Sequence, residues 1–335
     1  MKKLLLIPVA AMLFAACSNE NEPEPVDNGP VPLQISVGNL DVKTEVATRA
    51  AGDAWTSGNG IGVYAVTTST TTPITDGANV RYNSSVTAST SNGTDFKLFN
   101  AASSPIYLPA NGTAIDVFAY YPYQTPLADP TAVGINVSTQ TDAAAIAAID
   151  FMTTGREAHT THGGSETIKK NTPTCQLLFA HKFVKLVFNL RAGTGMSSSD
   201  ITSASPCSVS ITGQKTGGTY NIYTDALTYT GSQTTIVSTA TQDAKVDFDK
   251  AIQLIVLPTD DTNNPKSDRT VTITLGTATY TFVISDSDAE PDPYVTAFEA
   301  GKEYTFDVTI NAASLDITAA ITNWVSVAAQ SATAQ

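Results

Sequence analysis

Glu303-Tyr304-Thr305-Phe306-Asp307-Val308-Thr309-Ile310 is the stretch on which the fold class turns. Apolar and polar side chains alternate along it, the signature of a strand buried on one face and wet on the other. The same period recurs in residues 33–42, 60–66, 114–121, 177–190, 207–212, 252–257, 269–275 and 279–284. Helical periodicity is confined to an Ala-rich run over residues 142–149, with Thr141 as the candidate cap. The chain therefore reads as all-β.

A chain of 335 residues has room for two ordinary β-domains. Residues 153–174 carry Gly, His, Ser, Lys and Pro without periodicity, and the domain boundary is expected there. The division that follows is 1–17 as a signal peptide and 18–32 as a flexible tether. A first β-sandwich then occupies 33–172 and a second 173–335. Segments 258–268 and 285–294 are expected as exposed loops.

The start of the chain has its own logic. Lys2 and Lys3 precede an apolar run ending at Phe14 that is too short to span a bilayer, so it reads as a targeting element. Phe14-Ala15-Ala16-Cys17 resembles a lipobox, with Cys17 as the thiol that takes a diacylglycerol; the usual Leu is displaced to Leu13. The acidic, Pro-containing residues 18–25 have nothing to bury, hence the tether. Beyond Cys17 only Cys175 and Cys207 remain, so one disulfide is allowed and sequence does not decide it.

Composition narrows the function. Charged residues make up 15% of the chain, so small neutral polar groups cover the surface, as in extracellular β-proteins. A formal net charge of −13 repels a phosphate backbone, and no basic cluster offsets it, which argues against nucleic acid. The same acidity disfavours side-chain attachment to anionic lipid, so membrane contact is expected through covalent lipid.

No nucleophile elbow, zincin, P-loop or dinucleotide fingerprint is found, and no cofactor is implied. His159, His162 and Glu166 could ligate a metal but sit in a loop that imposes no common face. His181, between Phe179 and Phe183, reads as a half-buried structural residue. Asp260, Asp261 and Asp268 lack calcium-loop spacing. Tyr107, Tyr120, Tyr121, Tyr123 and Tyr294 could stack on sugars, although strand tyrosines usually pack.

The chain ends carry the stronger pattern. Leu33, Ile35 and Val37 alternate, and Leu40 and Val42 continue after a phase slip at Gly38-Asn39; a polar segment containing Arg49 follows. At the other end Leu315, Ile317, Ala319 and Ile321 alternate, resuming with Val325 and Val327 after Asn323-Trp324. Both look detachable.

At these residues the chain resembles the Mfa-like fimbrillins, the subunits of type V pili of Bacteroidetes-type bacteria. The likeness rests on Cys17, on Thr48-Arg49-Ala50 followed by Trp55, on Gly60-Ile61-Gly62-Val63-Tyr64, and on Ala119-Tyr120-Tyr121-Pro122. Further along it rests on Phe179-Ala180-His181-Lys182-Phe183-Val184-Lys185-Leu186, on Phe298-Glu299-Ala300-Gly301-Lys302-Glu303-Tyr304-Thr305-Phe306, and on Ile321-Thr322-Asn323-Trp324. The resemblance implies two tandem transthyretin-like β-sandwiches and a non-enzymatic pilus subunit that supports adhesion. It implies a palmitate-bearing outer-membrane lipoprotein exported to the surface and then incorporated in a fimbrium. A trypsin-like, Arg-specific protease would cut between Arg49 and Ala50, removing the strand of Leu33, Ile35, Val37, Leu40 and Val42. A strand from another pilin subunit would refill the groove, and Leu315, Ile317, Ala319, Ile321, Val325 and Val327 form the candidate donor. Repeated head to tail, that contact yields a filament. The other reading is a surface lipoprotein or tip adhesin that binds a glycan or a host or bacterial surface protein without polymerising.

Overall fold

The computed structural model describes residues 29–38, 55–85, 97–127, 129–157, 167–260, 262–265, 267–285, 295, 297–312 and 314–323. In chain order the strands are β1 (Gln34–Val37), β2 (Gly60–Thr67), β3 (Val80–Ser84), β4 (Lys97–Ala101), β5 (Ile115–Tyr121), β6 (Val133–Asn136), β7 (Thr139–Gln140), β8 (Met152–Glu157), β9 (Thr174–Leu177), β10 (Ala180–His181) and β11 (Val184–Ala192). They continue as β12 (Cys207–Gln214), β13 (Gly217–Asn221), β14 (Ala226–Thr230), β15 (Thr234–Ser238), β16 (Thr241–Gln242), β17 (Lys250–Val256), β18 (Arg269–Leu275), β19 (Ala278–Ile284), β20 (Lys302–Ile310) and β21 (Leu315–Asn323). Two short helices, α1 (Ala143–Ile149) and α2 (Ser198–Thr202), complete the described elements. The expected all-β class holds.

An eight-stranded sheet runs in the order β10-β8-β5-β2-β3-β4-β1-β9. Its outermost strands, β9 and β10, are separated in the chain by Leu178 and Phe179 alone. Three residue steps span at most about 11 Å, so the sheet curls until its two edges approach each other. Inside lies an apolar cluster that includes Leu33, Ile35, Val37, Ile61, Val63, Phe99, Val117 and Leu177.

β2 and β5 are buried on both faces. Ile61, Val63, Val117 and Ala119 point into that first cluster, whereas Tyr64, Val66, Phe118 and Tyr120 belong to a second one. This is why both strands are apolar almost throughout. Gly62 stands opposite Tyr120 in the ladder, and a Cβ on it would lie 2.1 Å from the Tyr120 ring. The glycine is what lets the ring lie flat across β2.

The second cluster is enclosed by two five-stranded sheets, β16-β17-β11-β20-β21 and β19-β18-β12-β15-β7. Phe188 stacks on Phe306 at 4.9 Å, and Phe282 of the facing sheet reaches Phe306 at 6.4 Å. Tyr304, Phe306, Val308 and Ile310 are all buried, as their alternation requires. β20 runs parallel to β11 in a register that sets Lys185 beside Glu303 and Asn189 beside Asp307. Both pairs bond: Lys185 Nζ lies 3.1 Å from Glu303 Oε2, and the Asn189 amide donates to Asp307 at 2.8 Å.

Several expectations change. Residues 177–190 are not one strand: the chain ends β9 at one edge of the first sheet, forms β10 at the other and passes into β11. Phe179 therefore packs in the first cluster and Phe183 in the second. His181 between them is structural but buried rather than half-buried, its Nδ1 2.7 Å from the Asp150 carboxylate. The cap of α1 is Asp142, not Thr141; the Asp142 carboxylate accepts the Ala145 N–H at 2.8 Å. The aperiodic stretch from residue 153 opens inside β8, and Ile168 is fully buried.

Strands cross the line drawn near residue 173 in both directions. β6 and β7 join β13 and β15 of the second half, and β9 and β10 complete the first sheet. Cys175 and Cys207 are buried in different clusters and form no disulfide with each other.

Candidate assembly interface

β1 is short yet held on both sides. It pairs antiparallel with β4, Ile35 opposite Phe99, and parallel with β9, Ile35 opposite Cys175. Beyond the ladder Leu33 donates to the Ile106 carbonyl at 2.8 Å, and Gly38 donates to that of Leu177 at 2.9 Å. Leu108 in turn donates to the Val31 carbonyl at 2.9 Å. Leu33, Ile35 and Val37 are 2%, 1% and 0% exposed. Burying three such side chains is worth about 1.5–3 kcal/mol each, or roughly 5–9 kcal/mol together. That rivals the whole net stability of a typical domain, about 5–15 kcal/mol.

β9 depends on β1. Among the described residues β1 is its ladder partner and β9 has no other. Taking β1 away leaves a slot lined by Phe99, Cys175 and Leu177, with unpaired main-chain groups on β4 and β9.

Trp55 closes the far end of β1. Its indole N–H donates to the Gly38 carbonyl at 3.2 Å, and its ring meets Phe99, Tyr121 and Phe179 edge-on at 5.2, 5.4 and 5.2 Å. A turn follows, in which Asn59 Oδ1 accepts the Thr56 N–H at 2.6 Å and delivers the chain to β2. Gly38 and Trp55, the described residues on either side of positions 39–54, thus meet at one place.

β21 is the opposite case. It pairs antiparallel with β20 and forms the outer edge of its sheet, with Tyr304 opposite Ile321 and Val308 opposite Ile317. Leu315 and Ile317 are half-buried, Ala319 is exposed, and Ile321 is 56% exposed. Asp316 is the one charge among residues 315–323, so the edge carries little that would repel another strand.

Of the site residues expected from sequence, Leu33, Ile35 and Val37 come together in the slot, and Leu315, Ile317, Ala319 and Ile321 share one face of β21. Cys17, Leu40, Val42, Arg49, Ala50, Val325 and Val327 lie outside the described residues, as do His159, His162, Glu166, Asp261 and Tyr294. Asp260 accepts two N–H groups of its own loop, from Thr262 and Asn263 at 2.7 Å each. Tyr120 is fully buried and hydrogen-bonded to Asn79 at 2.8 Å, so it is packing, whereas Tyr107 is 44% exposed.

A cleft of about 570 Å³ opens between β10, the β13–β14 turn and the segment after β17, lined by Phe179, Lys182, Tyr220, Asp225 and Tyr229. Its polar groups already engage one another: Asp225 accepts from Lys182 at 2.7 Å, Tyr220 at 2.7 Å and Thr153 at 2.9 Å. In the sequence Trp55 stands out only as part of a motif, and nothing local sets Phe99 or Cys175 beside β1. A parallel β1–β9 pair between strands some 140 residues apart leaves no local trace.

Comparison with known proteins bears on this arrangement. The profile of the family described as "Fimbrillin-like" matches residues 48–324. A protein of Bacteroides uniformis named "Putative fimbrium subunit Fim1C" is 31% identical over 333 residues, which cover 97% of this chain and 96% of that protein. The crystal structure of "a putative cell adhesion protein" from Bacteroides uniformis superposes with a TM-score of 0.64 at 27% identity, over 90% of this chain and 100% of that one. A second such structure, from Bacteroides ovatus, shares the fold with a TM-score of 0.58 at 19% identity, over 89% and 99% of the two chains. A profile match over most of the chain and near full-length similarity to a named relative establish that this chain belongs to the fimbrillin-like family.

Proposed function

We propose that the chain is a structural subunit of a cell-surface fimbrium that supports adhesion and assembles by strand exchange. Acylated at Cys17, it is an outer-membrane lipoprotein exported to the surface. An Arg-specific protease cuts between Arg49 and Ala50, β1 departs with the lipid, and a strand of a neighbouring subunit enters the slot. The run from Leu315 through Ile317, Ala319 and Ile321 to Val325 and Val327 is the donor. The names borne by its relatives, a fimbrium subunit and a cell adhesion protein, agree with that role.

The observation that carries the reading is the contrast between the two terminal strands. β1 fills a deep slot that cannot stay empty, and β21, the outermost strand of its sheet among the described residues, holds its apolar face half in water. Moving a strand like β21 into a slot like that of β1 gains burial for residues such as Ile321 and restores two rows of main-chain hydrogen bonds. The cut falls in residues 39–54, whose ends are tied through Trp55 and Gly38, so cleavage there leaves the folded body in place.

The test is limited digestion of the full chain with an Arg-specific protease. The expected product begins at Ala50 and forms ladders stable to mild detergent, and Arg49→Ala gives neither. A chain cut cleanly at Arg49 that stays monomeric would overturn strand exchange in favour of a non-polymerising surface adhesin.

A further inference from the structure

We infer that Trp55 is the residue that locks whichever strand occupies the slot between β4 and β9. This deepens the assembly reading and rests on it.

Trp55 donates to a main-chain carbonyl, that of Gly38, just beyond the last ladder pair of β1 at Val37. A carbonyl is present in every strand whatever its side chains, so the contact does not depend on the occupant's sequence. Trp55 is rigidly mounted. It is 5% exposed and wedged edge-on among Phe99 of β4, Tyr121 of β5 and Phe179 at the seam where the curled sheet approaches itself. None of these rings belongs to β1. Trp55 also follows Arg49 in sequence, so it stays with the body when β1 leaves. A departing β1 uncovers the indole N–H inside an apolar wall, and an incoming strand that presents a carbonyl at the same depth satisfies it again. Trp55 thereby sets how far the occupant must extend, since the strand is locked only if its main chain continues one residue past the last ladder pair; the register itself comes from the apolar fit of positions 33, 35 and 37.

The experiment compares the full-length chain with Trp55→Phe, which keeps an aromatic wedge and removes the N–H, and with Trp55→Ala. Amide hydrogen exchange is read separately over β1 and β5 in the uncut protein. Trp55→Phe is expected to speed exchange over residues 34–38 about fivefold, the effect of one lost hydrogen bond, and to leave β5 unchanged. An equal rise in both strands, or none in β1, overturns the inference by making Trp55 a packing residue only; Trp55→Ala supplies the pattern of that general loosening.

After cleavage, ladders of Trp55→Phe are expected to come apart in milder detergent than wild-type ladders. Equal resistance overturns the lock on a neighbour's strand. If the wild type forms no ladder, the assembly reading fails, and the exchange data still decide what Trp55 does to β1.

Discussion

Replacing Gly62 by alanine would put a methyl group 2.1 Å from the ring of Tyr120, which is fully buried and bonded through its hydroxyl to Asn79. The ring cannot yield without moving β5, so Gly62→Ala should destabilise by about 1–3 kcal/mol, read as a fall in the urea midpoint at unchanged slope. Asp225 makes a different demand. Burial opposes its ionisation, but hydrogen bonds from Lys182, Tyr220 and Thr153 and the Lys182 charge outweigh that and hold its carboxyl below the ordinary aspartate range. A carboxyl lowered on folding stabilises above its unfolded value, near 4, and that contribution is lost as pH falls through the folded-state value. The Asp225 side chain is 44% exposed, so the gain is at most about 1 kcal/mol. Melting curves of wild type and Asp225→Asn should therefore differ near pH 7 and converge towards pH 3. Residues of this kind were half legible in sequence. Gly62 and Tyr120 are conspicuous in their motifs, but that they face each other is a matter of ladder register. Likewise Asp142 rather than Thr141 caps α1, because the choice between adjacent polar residues is settled by backbone geometry at the helix entrance.

Among the elements, β20 was readable outright: four apolar residues at period two had one face to bury. β3, β4 and β6 were not, because short strands such as Val80–Ser84 and Lys97–Ala101 mix polar residues on both faces. The span 177–190 reads as continuous because apolar residues recur on both sides of His181-Lys182, and apolarity does not reveal where a chain changes sheets. The two-residue connection Leu178-Phe179 is what holds the edges of the first sheet near each other. The donor reading of β21 has a sharp consequence. Ile321→Asp should change the melting temperature of the uncut protein little, because that side chain is already 56% exposed. The same substitution should abolish ladders after cleavage, since in the slot it would place an unpaired carboxylate among Phe99, Cys175 and Leu177. Ladders that survive it would assign the donor strand elsewhere.

Across the whole molecule, class and family were legible from alternation, composition and motif order. The exchange of strands across residue 173 was not, because it depends on pairings between distant segments. The two thiols make the slot visible in solution. Cys175 lies beside Ile35 of β1 in the ladder and is fully buried; Cys207 is buried in the other cluster, where burial raises its thiol pKa despite the opposing influence of Lys250. Alkylation followed by mass spectrometry should find both inert before cleavage, Cys175 reactive once β1 has gone, and Cys175 protected again on polymerisation. Cys207 should remain inert throughout.

The dependence of β9 on β1 also reaches beyond packing. From β9 the backbone runs through β10 into β11, so the strand in the slot moors the very segment that carries the chain from one half to the other. In a fibre built this way each neighbour would stiffen the joint it plugs into: an unfilled subunit would be the slack link, and flexibility would be concentrated wherever a slot stands empty.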